Sequence, residues 1–341
     1  MSQSSLDVSV VIPTCNRAAL VTEAVKSVLS QTRQPREIIV VDNGTDSSTE
    51  EALGCFANVL TYIRQPPIGV QAARNVGVAA ASSTWVATLD DDDLYQTEFL
   101  STAEAIMIDN RADAIFSDHR KFCGSVQEKK TNFEMAPDSF WAGIPGPEID
   151  EDWSFIGRFP LEKILNFVPF YPSTAIMKRS LYQQIGGYDP QVRGIKAEDI
   201  EFLIRLLAVA KLAIIWKPLV DYRLHELNDS GNRLLTKVGR FTVFTYLQRK
   251  ADVLPTGFMA TLQDDLRQRP AEIFDYAFVL RDFPIMRDIA LHMHPEDWSK
   301  RRKLLKLLSH IPQPLQSFSL RSYAVIQRAR RQTGIVIPQG Q

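Results

Sequence analysis

The stretch Val8-Ser-Val-Val-Ile-Pro13 decides the fold class, because it is a short, nearly continuous run of β-branched residues that stops at a proline. Such a run is typical of a parallel strand that is buried on both faces. Residues 18–30 then carry apolar side chains at helical spacing, and Glu37-Ile-Ile-Val-Val41 repeats the buried-strand pattern. The beginning of the chain therefore predicts a βαβ unit.

The same alternation continues along the chain. Strands are expected at residues 59–63, 85–89 and 114–116, with helices at residues 70–81 and 98–109. Such a series favours a mostly parallel sheet with helices on both faces. We therefore expect an α/β protein with a Rossmann-like sheet.

The second half of the chain is less regular. Residues 119–170 are rich in Gly and Pro, which predicts a long irregular insert. Beyond the insert we expect a strand, two helices and two more strands, at Phe170–Ile176, Arg179–Ile185, Ala197–Ala210, Leu212–Trp216 and Val220–Leu224. Helical patterns follow to the end, so residues 1–235 are expected to form one domain and residues 236–341 a helical, basic C-terminal region.

Charge is balanced overall but unevenly distributed. The chain has 39 Lys and Arg against 40 Asp and Glu, which gives no argument for a nucleic-acid binder. Asp297 is the last acidic residue, and nine Lys or Arg follow it. An acidic body thus precedes a basic tail.

Three scattered cysteines, Cys15, Cys55 and Cys123, indicate a reducing compartment rather than a disulfide framework. The polar start lacks the pattern of a signal peptide, and no 18-residue apolar run occurs. We therefore expect a cytoplasmic protein, with peripheral contact at the inner face of the membrane through the basic tail.

The run Asp90-Asp-Asp-Asp93 is the strongest local signal for chemistry, because it follows a buried strand. Clustered like charges need a cation or hydrogen-bond donors to balance them. Oxygen ligands suit Mg²⁺ or Mn²⁺, which proteins often hold with one or two carboxylates and substrate phosphates. The alternative is a solvated acidic loop at a helix N-terminus.

Polar residues also follow the other predicted strands, and parallel strands bring their carboxyl ends to one edge. Asp42 could hydrogen-bond a nucleobase or ribose, or it could only form a turn with Asn43-Gly44. Arg74, which precedes Asn75, could pair with a diphosphate, although a surface arginine is the alternative.

Two later sites complete the set of candidates. Glu198 and Asp199 open a predicted helix, where a carboxylate could act as a general base or only complement the helix dipole. His225 follows a strand-like run and could be a third metal ligand, although a lone histidine is more often structural.

Taken together, these residues resemble the GT-A-fold glycosyltransferases of family 2. The likeness rests on six motifs in order: Val10-Val-Ile-Pro-Thr14 with Asn16-Arg17, Ile38-Ile-Val-Val-Asp42-Asn-Gly44, Gly69-Val-Gln-Ala-Ala-Arg74-Asn75-Val-Gly77, Leu89-Asp-Asp-Asp-Asp93, Gly186-Gly-Tyr-Asp189 followed by Glu198-Asp199, and Tyr222-Arg-Leu-His225. The resemblance covers roughly residues 8–230.

The resemblance implies a role for each candidate. The residues expected to bind the nucleotide sugar are Pro13, Thr14, Asn16, Arg17, Asp42, Arg74, Asn75, Asp90 and Asp91. Asp92 and His225 would hold Mn²⁺ or Mg²⁺, and Asp199, next to Glu198, would be the catalytic base. UDP is the expected nucleotide, although Asn43 stands where the family often has a second Asp and leaves the nucleobase contact open.

The implied reaction is inverting transfer of one sugar to a hydroxyl of a glycan or lipid-linked acceptor, in polysaccharide or cell-envelope synthesis. A single addition is expected because the Gln-x-x-Arg-Trp motif of the processive members is absent. A nucleotidyltransferase and a nucleotide-sugar-binding protein without turnover are the alternatives. A dehydrogenase is disfavoured, since the G-x-G-x-x-G turn is missing.

The basic tail begins with Trp298-Ser-Lys-Arg-Arg-Lys-Leu-Leu-Lys-Leu-Leu308, in which basic and apolar residues are interleaved. This pattern is compatible with a helix that lies on an anionic membrane, with contact expected over residues 298–331. The alternative is a helix that packs its leucines on the protein.

Overall fold

A ten-stranded sheet forms the centre of the computed structural model, which describes residues 5–147, 151–225, 232–250 and 254–310. The strands are β1 (Leu6–Thr14), β2 (Pro35–Asp42), β3 (Thr61–Arg64), β4 (Trp85–Thr88), β5 (Leu94–Tyr95), β6 (Ala114–Cys123), β7 (Val126–Gln127), β8 (Trp153–Gly157), β9 (Ala175–Lys178) and β10 (Leu212–Arg223). Their main order is β3-β2-β1-β4-β9-β6-β10-β5, while β7 pairs with β6 and β8 with β10.

Eleven α-helices occur in the described part of the chain. They are α1 (Ala18–Leu29), α2 (Ser48–Leu53), α3 (Val70–Ala80), α4 (Phe99–Asp109), α5 (Lys163–Asn166), α6 (Arg179–Gln184), α7 (Asp199–Val209), α8 (Arg233–Arg249), α9 (Thr256–Leu280), α10 (Phe283–Ile289) and α11 (Lys300–Leu308). The α/β class and the helical C-terminal region are thereby confirmed.

The sheet is mixed, because one central strand runs against its neighbours. β1 pairs in parallel with β2 and β4, and β10 pairs in parallel with β6. β9 lies between β4 and β6 and is antiparallel to both. Thr14 is the register partner of Asp42, so the carboxyl ends of β1 and β2 lie level at one edge.

Both faces of β1 are covered by helices. On one face, Val10 and Ile12 belong to the same buried cluster as Val25 and Val28 of α1, which lie at helical spacing. On the other face, α3 approaches β1 so closely that a Cβ at Gly77 would lie 2.2 Å from Val11 Cγ1. This contact fixes the height of α3 above the strand.

The structure corrects two expected strands. The strand expected at Phe170–Ile176 is wrong, because Pro172–Thr174 forms a 3₁₀-helix and β9 starts only at Ala175. Proline lacks the N–H that a central strand needs. The two strands expected between Leu212 and Leu224 are one strand, β10, whose register against β6 shifts around Pro218.

The expected irregular insert contains regular elements. β6 continues into it as far as Cys123, and β8 pairs with β10 in antiparallel fashion. Strands were expected where they alternate with helices, as parallel strands require. Antiparallel strands need no connecting helix, so β8 and the extension of β6 gave no such signal.

The chain divides into two compact units, Met1–Leu262 and Gln263–Gln341. In the second unit, the Trp298 ring packs 5.6 Å from the Phe274 ring, and Arg302 pairs with Asp275 at 2.8 Å. Among the described residues, no helix combines the length and the hydrophobicity that crossing a membrane requires.

Replacing Gly77 by Ala tests the contact between α3 and β1. Alanine favours a helix by about 1 kcal/mol over glycine. Here, however, the new Cβ would clash with Val11 Cγ1 and lie 3.2 Å from Val41 Cγ2. We expect Gly77→Ala to lower the free energy of unfolding by about 1–3 kcal/mol in chemical denaturation, as overpacking does.

Gly54→Ala is the matched control, because no atom lies within 4 Å of the Cβ it would add. This variant should match or slightly exceed the wild type in stability. Equal stability of Gly77→Ala and the wild type would show that α3 does not depend on this close approach.

Candidate functional site

A cavity of about 790 Å³ opens beyond the carboxyl ends of β1, β2 and β4. Its lining includes Thr14 at the end of β1, Arg17 in the following loop, Arg74 of α3, the acidic run 90–93 and Asp199 at the start of α7. Residues that are far apart in sequence meet there because parallel strands end at the same edge.

Each of the four aspartates after β4 has its own set of partners, and Arg17 is common to two of these sets. Asp91 accepts a hydrogen bond from Thr14 Oγ1 at 2.7 Å and one from Arg17 Nη1 at 3.0 Å. Burial raises the pKa of Asp91 to about 6, against the lowering effect of Thr14 and Arg17. Asp92 Oδ2 lies 2.9 Å from Arg17 Nη1 and 3.0 Å from His225 Nε2.

Asp93 holds the acidic loop in place through buried hydrogen bonds. Its carboxylate accepts hydrogen bonds from Ser173 Oγ at 2.5 Å and from the Arg223 backbone N–H at 3.0 Å. It is buried, and burial raises its pKa. Ser173 Oγ also accepts a hydrogen bond from the Asp90 backbone N–H at 3.1 Å, so one hydroxyl joins both ends of the run.

Arg223 brings the end of β10 to the acidic loop. Its Nε donates to the Asp92 backbone carbonyl at 2.9 Å, and its Nη2 pairs with Glu23 at 2.5 Å. His225 follows two residues later and reaches Asp92. The tie through Arg223 thus places the imidazole beside the carboxylate.

Arg74 and Asn75 on α3 have different surroundings. Arg74 is buried, pairs with Asp90 and lies 5.1 Å from the centre of the Tyr188 ring. Asn75 is absent from the cavity lining, and its amide donates to the Tyr188 carbonyl at 2.9 Å. Its Oδ1 accepts from the Tyr188 N–H at 2.8 Å and from Tyr182 Oη at 2.6 Å. Asn75 therefore holds the Gly186-Gly187-Tyr188 loop onto α3.

Asp199 is the first residue of α7, in the part of the chain that follows this loop and the 3₁₀-helix Pro190–Val192. Burial raises the pKa of Asp199; Arg74 lowers it and Asp90 raises it, so all three charges share one electrostatic environment. Glu198, at the N-cap of α7, also lines the cavity. Ala197 before them has a φ of 64°, a left-handed conformation that bends the chain into the helix.

A buried ion pair fastens α7 to the same loop. Arg205 forms two hydrogen bonds with Glu201, at 2.7 and 2.6 Å, and donates to the Gly187 carbonyl at 2.8 Å. Both side chains are buried. The pair fixes the start of α7, and with it Asp199, relative to α3.

After β2, the residue that faces the cavity is Asn43. Asp42 is fully buried, accepts from the Gly44 N–H at 2.6 Å and from Tyr62 Oη at 2.7 Å, and is absent from the cavity lining. Asn43 Nδ2 donates to the Gly69 carbonyl at 3.1 Å. Asn43 Oδ1 is buried without a hydrogen-bond partner among the described residues.

The two remaining candidates lie at the end of β1 and just beyond it. Pro13 lines the cavity, whereas Asn16 does not. Asn16 Oδ1 accepts a hydrogen bond from the Thr45 N–H at 2.8 Å and so joins the loops after β1 and β2. Asn16 has a φ of 54°, which asparagine tolerates better than most residues do.

The far wall of the cavity consists of residues that the sequence did not single out. Phe167 comes from the expected insert, Tyr171 directly follows that insert, and Thr236 and Arg240 come from α8. A Cβ at Gly239 would lie 2.0 Å from the Lys196 carbonyl, so α8 packs directly on the chain that leads to Asp199. A hydrophobic pattern within one segment predicts that segment's secondary structure. It does not predict which distant segments pack together, so these contacts could not be read from the sequence.

Behind this wall, His119 is fully buried, with neither ring nitrogen hydrogen-bonded in the described part of the chain. Its ring lies 4.8 Å from that of Tyr171 and 5.5 Å from that of Tyr222, and both tyrosines line the cavity. Burial lowers the pKa of His119 to about 3, so its imidazole is neutral near pH 7.

The donor atoms beside Asp92 fit a divalent cation that shares its shell with a substrate. Among the described residues there is no group of three or more His, Cys, Asp or Glu that could hold a metal ion. Asp92 Oδ2 and His225 Nε2 together offer two ligands. One or two carboxylates completed by substrate phosphate oxygens are usual for Mg²⁺, and here Asp92 is the carboxylate and His225 adds a nitrogen ligand.

The chain is similar to glycosyltransferases. The family model described as "Glycosyl transferase family 2" matches residues 9–186. An uncharacterized glycosyltransferase of Rickettsia felis is 34% identical over 144 residues, which are 42% of this chain and 23% of that relative. The chain thus spans about a quarter of that relative's length. A PGL/p-HBAD biosynthesis glycosyltransferase of Mycobacterium bovis is 26% identical over 235 residues, which are 67% of this chain and 80% of the relative.

Solved structures show the same fold. The crystal structure of S. aureus TarS 1–349 in complex with UDP-GlcNAc has a TM-score of 0.57 at 18% identity, covering 96% of this chain and 92% of TarS 1–349. The mannosyltransferase PcManGT from Pyrobaculum calidifontis, in complex with GDP-Man and Mn²⁺, has a TM-score of 0.54 at 19% identity, covering 90% and 84%. These likenesses show a GT-A fold, and the family model covers more than half of the chain. The chain therefore belongs to glycosyltransferase family 2.

Proposed function

We propose that this protein is an inverting glycosyltransferase that moves one sugar from a nucleoside-diphosphate sugar to a hydroxyl of a glycan or lipid-linked acceptor. The observation that carries the proposal is the meeting of Asp92, Arg74 and Asp199 around one cavity, with the His225 imidazole 3.0 Å from Asp92 although His225 is not part of the cavity lining. Membership of family 2 and the nucleotide sugars bound by TarS and PcManGT support it.

The nucleotide would bind between the loops after β1 and β2. Asn43 offers a buried carbonyl oxygen that has no partner among the described residues, and such an atom is stabilised when a bound ligand donates to it. The N3–H of uracil is a donor of this kind, which fits the expected nucleotide UDP; thymine and guanine carry equivalent N–H donors, so binding measurements must distinguish the three. Pro13 and Thr14 would form the other side of the site, because both line the cavity.

The diphosphate would lie between the acidic loop and α3. Asp92 and His225 would hold Mn²⁺ or Mg²⁺, which would stabilise negative charge on the departing diphosphate. Arg74 is a buried cation at the same place and would add to this stabilisation. Asp90, paired with Arg74, would face the ribose side.

Asp199 would act as the base. Its raised pKa makes the ionised carboxylate a stronger proton acceptor. The acceptor oxygen attacks the anomeric carbon and gives its proton to Asp199, while the bond to the diphosphate breaks and its electron pair leaves with the diphosphate. Attack opposite the leaving group inverts the anomeric carbon. Glu198, beside it in the cavity lining, would orient the acceptor.

The catalytic region would extend beyond residue 235. Helix α8 belongs to the first compact unit, and its residues Thr236 and Arg240 line the cavity. Together with Phe167 and Tyr171 they would form the acceptor side. We therefore propose that the insert and α8 determine acceptor choice.

The first test is Asp92→Asn. Calorimetry with UDP, GDP, dTDP and CMP, each with and without Mn²⁺, should show one diphosphate whose binding to the wild type is strengthened at least about tenfold by metal. A tenfold effect equals about 1.4 kcal/mol. The substitution should abolish this difference, because an amide is a weaker ligand than a carboxylate.

Asp109→Asn is the control for this test, since Asp109 pairs with Arg111 outside the cavity lining. It should bind nucleotide and metal as the wild type does. Metal dependence that is unchanged in Asp92→Asn would place the cation elsewhere.

The second test is Asp199→Asn. Loss of a general base lowers a rate by about 10²–10⁴-fold, so sugar transfer should fall by that factor while calorimetric donor affinity stays the same. In the wild type, kcat should rise as pH increases through the raised pKa of Asp199, because only the ionised form accepts the proton. Donor binding without any transfer by the wild type would favour a binding protein.

We also propose that α11 contacts an anionic membrane. Leu305 is fully buried and Arg302 pairs with Asp275, so one side of the helix packs on its own unit. Leu304 and Leu307 are 43% and 70% exposed on the other side. Lys300, Arg301 and Lys303 beside them are exposed too. An amphipathic surface of this composition suits an anionic bilayer.

Residues 311–341, which follow α11, are poorly suited to cover this surface of α11. No acidic residue follows Asp297, so residues 311–341 cannot neutralise the cations of α11. Residues 311–331 of the expected membrane contact lie outside the described residues. An external anionic surface is therefore the better complement.

Co-sedimentation with vesicles tests this contact. The wild type should bind vesicles that contain about 30% phosphatidylglycerol and not neutral vesicles, because each basic residue near such a surface contributes about 1 kcal/mol. Lys300→Gln/Lys303→Gln should then weaken binding by more than about tenfold. The control Lys129→Gln/Lys130→Gln, exposed in the first unit, should bind as the wild type does. Equal sedimentation with neutral vesicles would overturn the proposal.

A further inference from the structure

Arg17 occupies the carboxylate oxygen that the proposed cation needs. Its Nη1 lies 2.9 Å from Asp92 Oδ2 and 3.0 Å from Asp91 Oδ1, so one nitrogen bridges two carboxylates. The same Asp92 Oδ2 lies 3.0 Å from His225 Nε2. The guanidinium therefore stands at the place where Asp92 and His225 converge.

We propose that Arg17 is an internal counter-cation, which neutralises the acidic loop in the free protein and leaves Asp92 when a divalent cation and a diphosphate bind together. This inference rests on the proposed metal site at Asp92 and His225. Two cations that share one carboxylate oxygen repel each other strongly in a partly buried site. Arg17 and the metal ion thus compete for Asp92.

The surroundings of Arg17 allow it to leave. Its side chain is 32% exposed, and it extends from the loop between β1 and α1. Asp91 keeps its hydrogen bond from Thr14 Oγ1, at 2.7 Å, when Arg17 departs. Departure breaks the contacts of Nη1 with both carboxylates. Asp91 retains its second donor, and Asp92 is the carboxylate that the cation would take over.

Arg74 differs from Arg17 in this respect. Its side chain is 5% exposed, and it pairs with Asp90, which is not a proposed metal ligand. Arg74 can therefore remain in place throughout binding. Of these two arginines in the cavity lining, only Arg17 contacts a proposed metal ligand.

A displaced Arg17 would have a new partner in the same cavity. Guanidinium groups pair well with phosphate oxygens, so a diphosphate would draw Arg17 away from Asp92. Diphosphate binding would then free Asp92 for the metal ion. Metal binding to Asp92 would in turn favour the conformation in which Arg17 has left Asp92 and can bind the diphosphate. This is positive coupling between two ligands, and by linkage each raises the affinity for the other by the same factor.

Mn²⁺ binding, measured from the electron paramagnetic resonance signal of free Mn²⁺, tests the inference without an activity assay. The proteins are the wild type, Arg17→Gln and Arg17→Lys, each alone, with UDP and with inorganic pyrophosphate. Without diphosphate, Arg17→Gln should bind Mn²⁺ about tenfold more tightly than the wild type, within the usual range of coupling. Arg17→Lys, which keeps the charge, should stay near the wild type.

The gain in Mn²⁺ affinity upon adding pyrophosphate should also shrink in Arg17→Gln, since part of the coupling is lost. Arg33→Gln is the matched control, because Arg33 pairs with Glu104 outside the cavity lining. It should bind Mn²⁺ as the wild type does.

Equal Mn²⁺ affinity of the wild type and Arg17→Gln without diphosphate would overturn the role of Arg17, provided that both melt at the same temperature. If instead no variant binds Mn²⁺ even with diphosphate, the proposed metal site fails, and this inference fails with it. The two failures are thus distinguishable.

Discussion

Four carboxylates follow strand β4 without interruption, and their mutual repulsion is the constraint on which the site depends. The fold balances them with partners from separate parts of the chain. Arg74 pairs with Asp90, Thr14 donates to Asp91, and Ser173 donates to Asp93. Asp92 is the exception, because its contacts are the partly exposed Arg17 and His225. The position with exposed partners is thus the one suited to a cation.

The opposite side of the cavity depends on holding a loop in place. Asn75 binds both backbone groups of Tyr188, and Arg205 binds the carbonyl of Gly187 while paired with Glu201. These contacts hold the segment that precedes α7 against α3 and against α7 itself. A base must lie within hydrogen-bond reach of its proton, so a shift of this loop would matter as much as loss of the carboxylate. Buried polar groups that are fully paired supply this rigidity.

Sequence patterns predicted the elements whose signal is local. The strands of the first half and helices α1, α3, α4 and α7 appear close to their expected positions. β5, β7 and β8 were missed, because short antiparallel strands carry little periodicity of their own. The expected strand at Phe170–Ile176 failed because Pro172 starts a 3₁₀-helix there. The sequence also could not show which residue at the end of β2 reaches the cavity. Asp42 is buried and absent from the cavity lining, whereas its neighbour Asn43 lines the cavity.

The sequence by itself determined the α/β class, the family, and the edge of the sheet where polar residues collect. These follow from periodicity and from motifs that are contiguous in the chain. Only the tertiary structure decided that Arg17 bridges Asp91 and Asp92, that Asn75 holds a loop, and that α8 completes the cavity wall. Such contacts join residues tens to hundreds of positions apart. Their geometry depends on close packing, which no local pattern encodes.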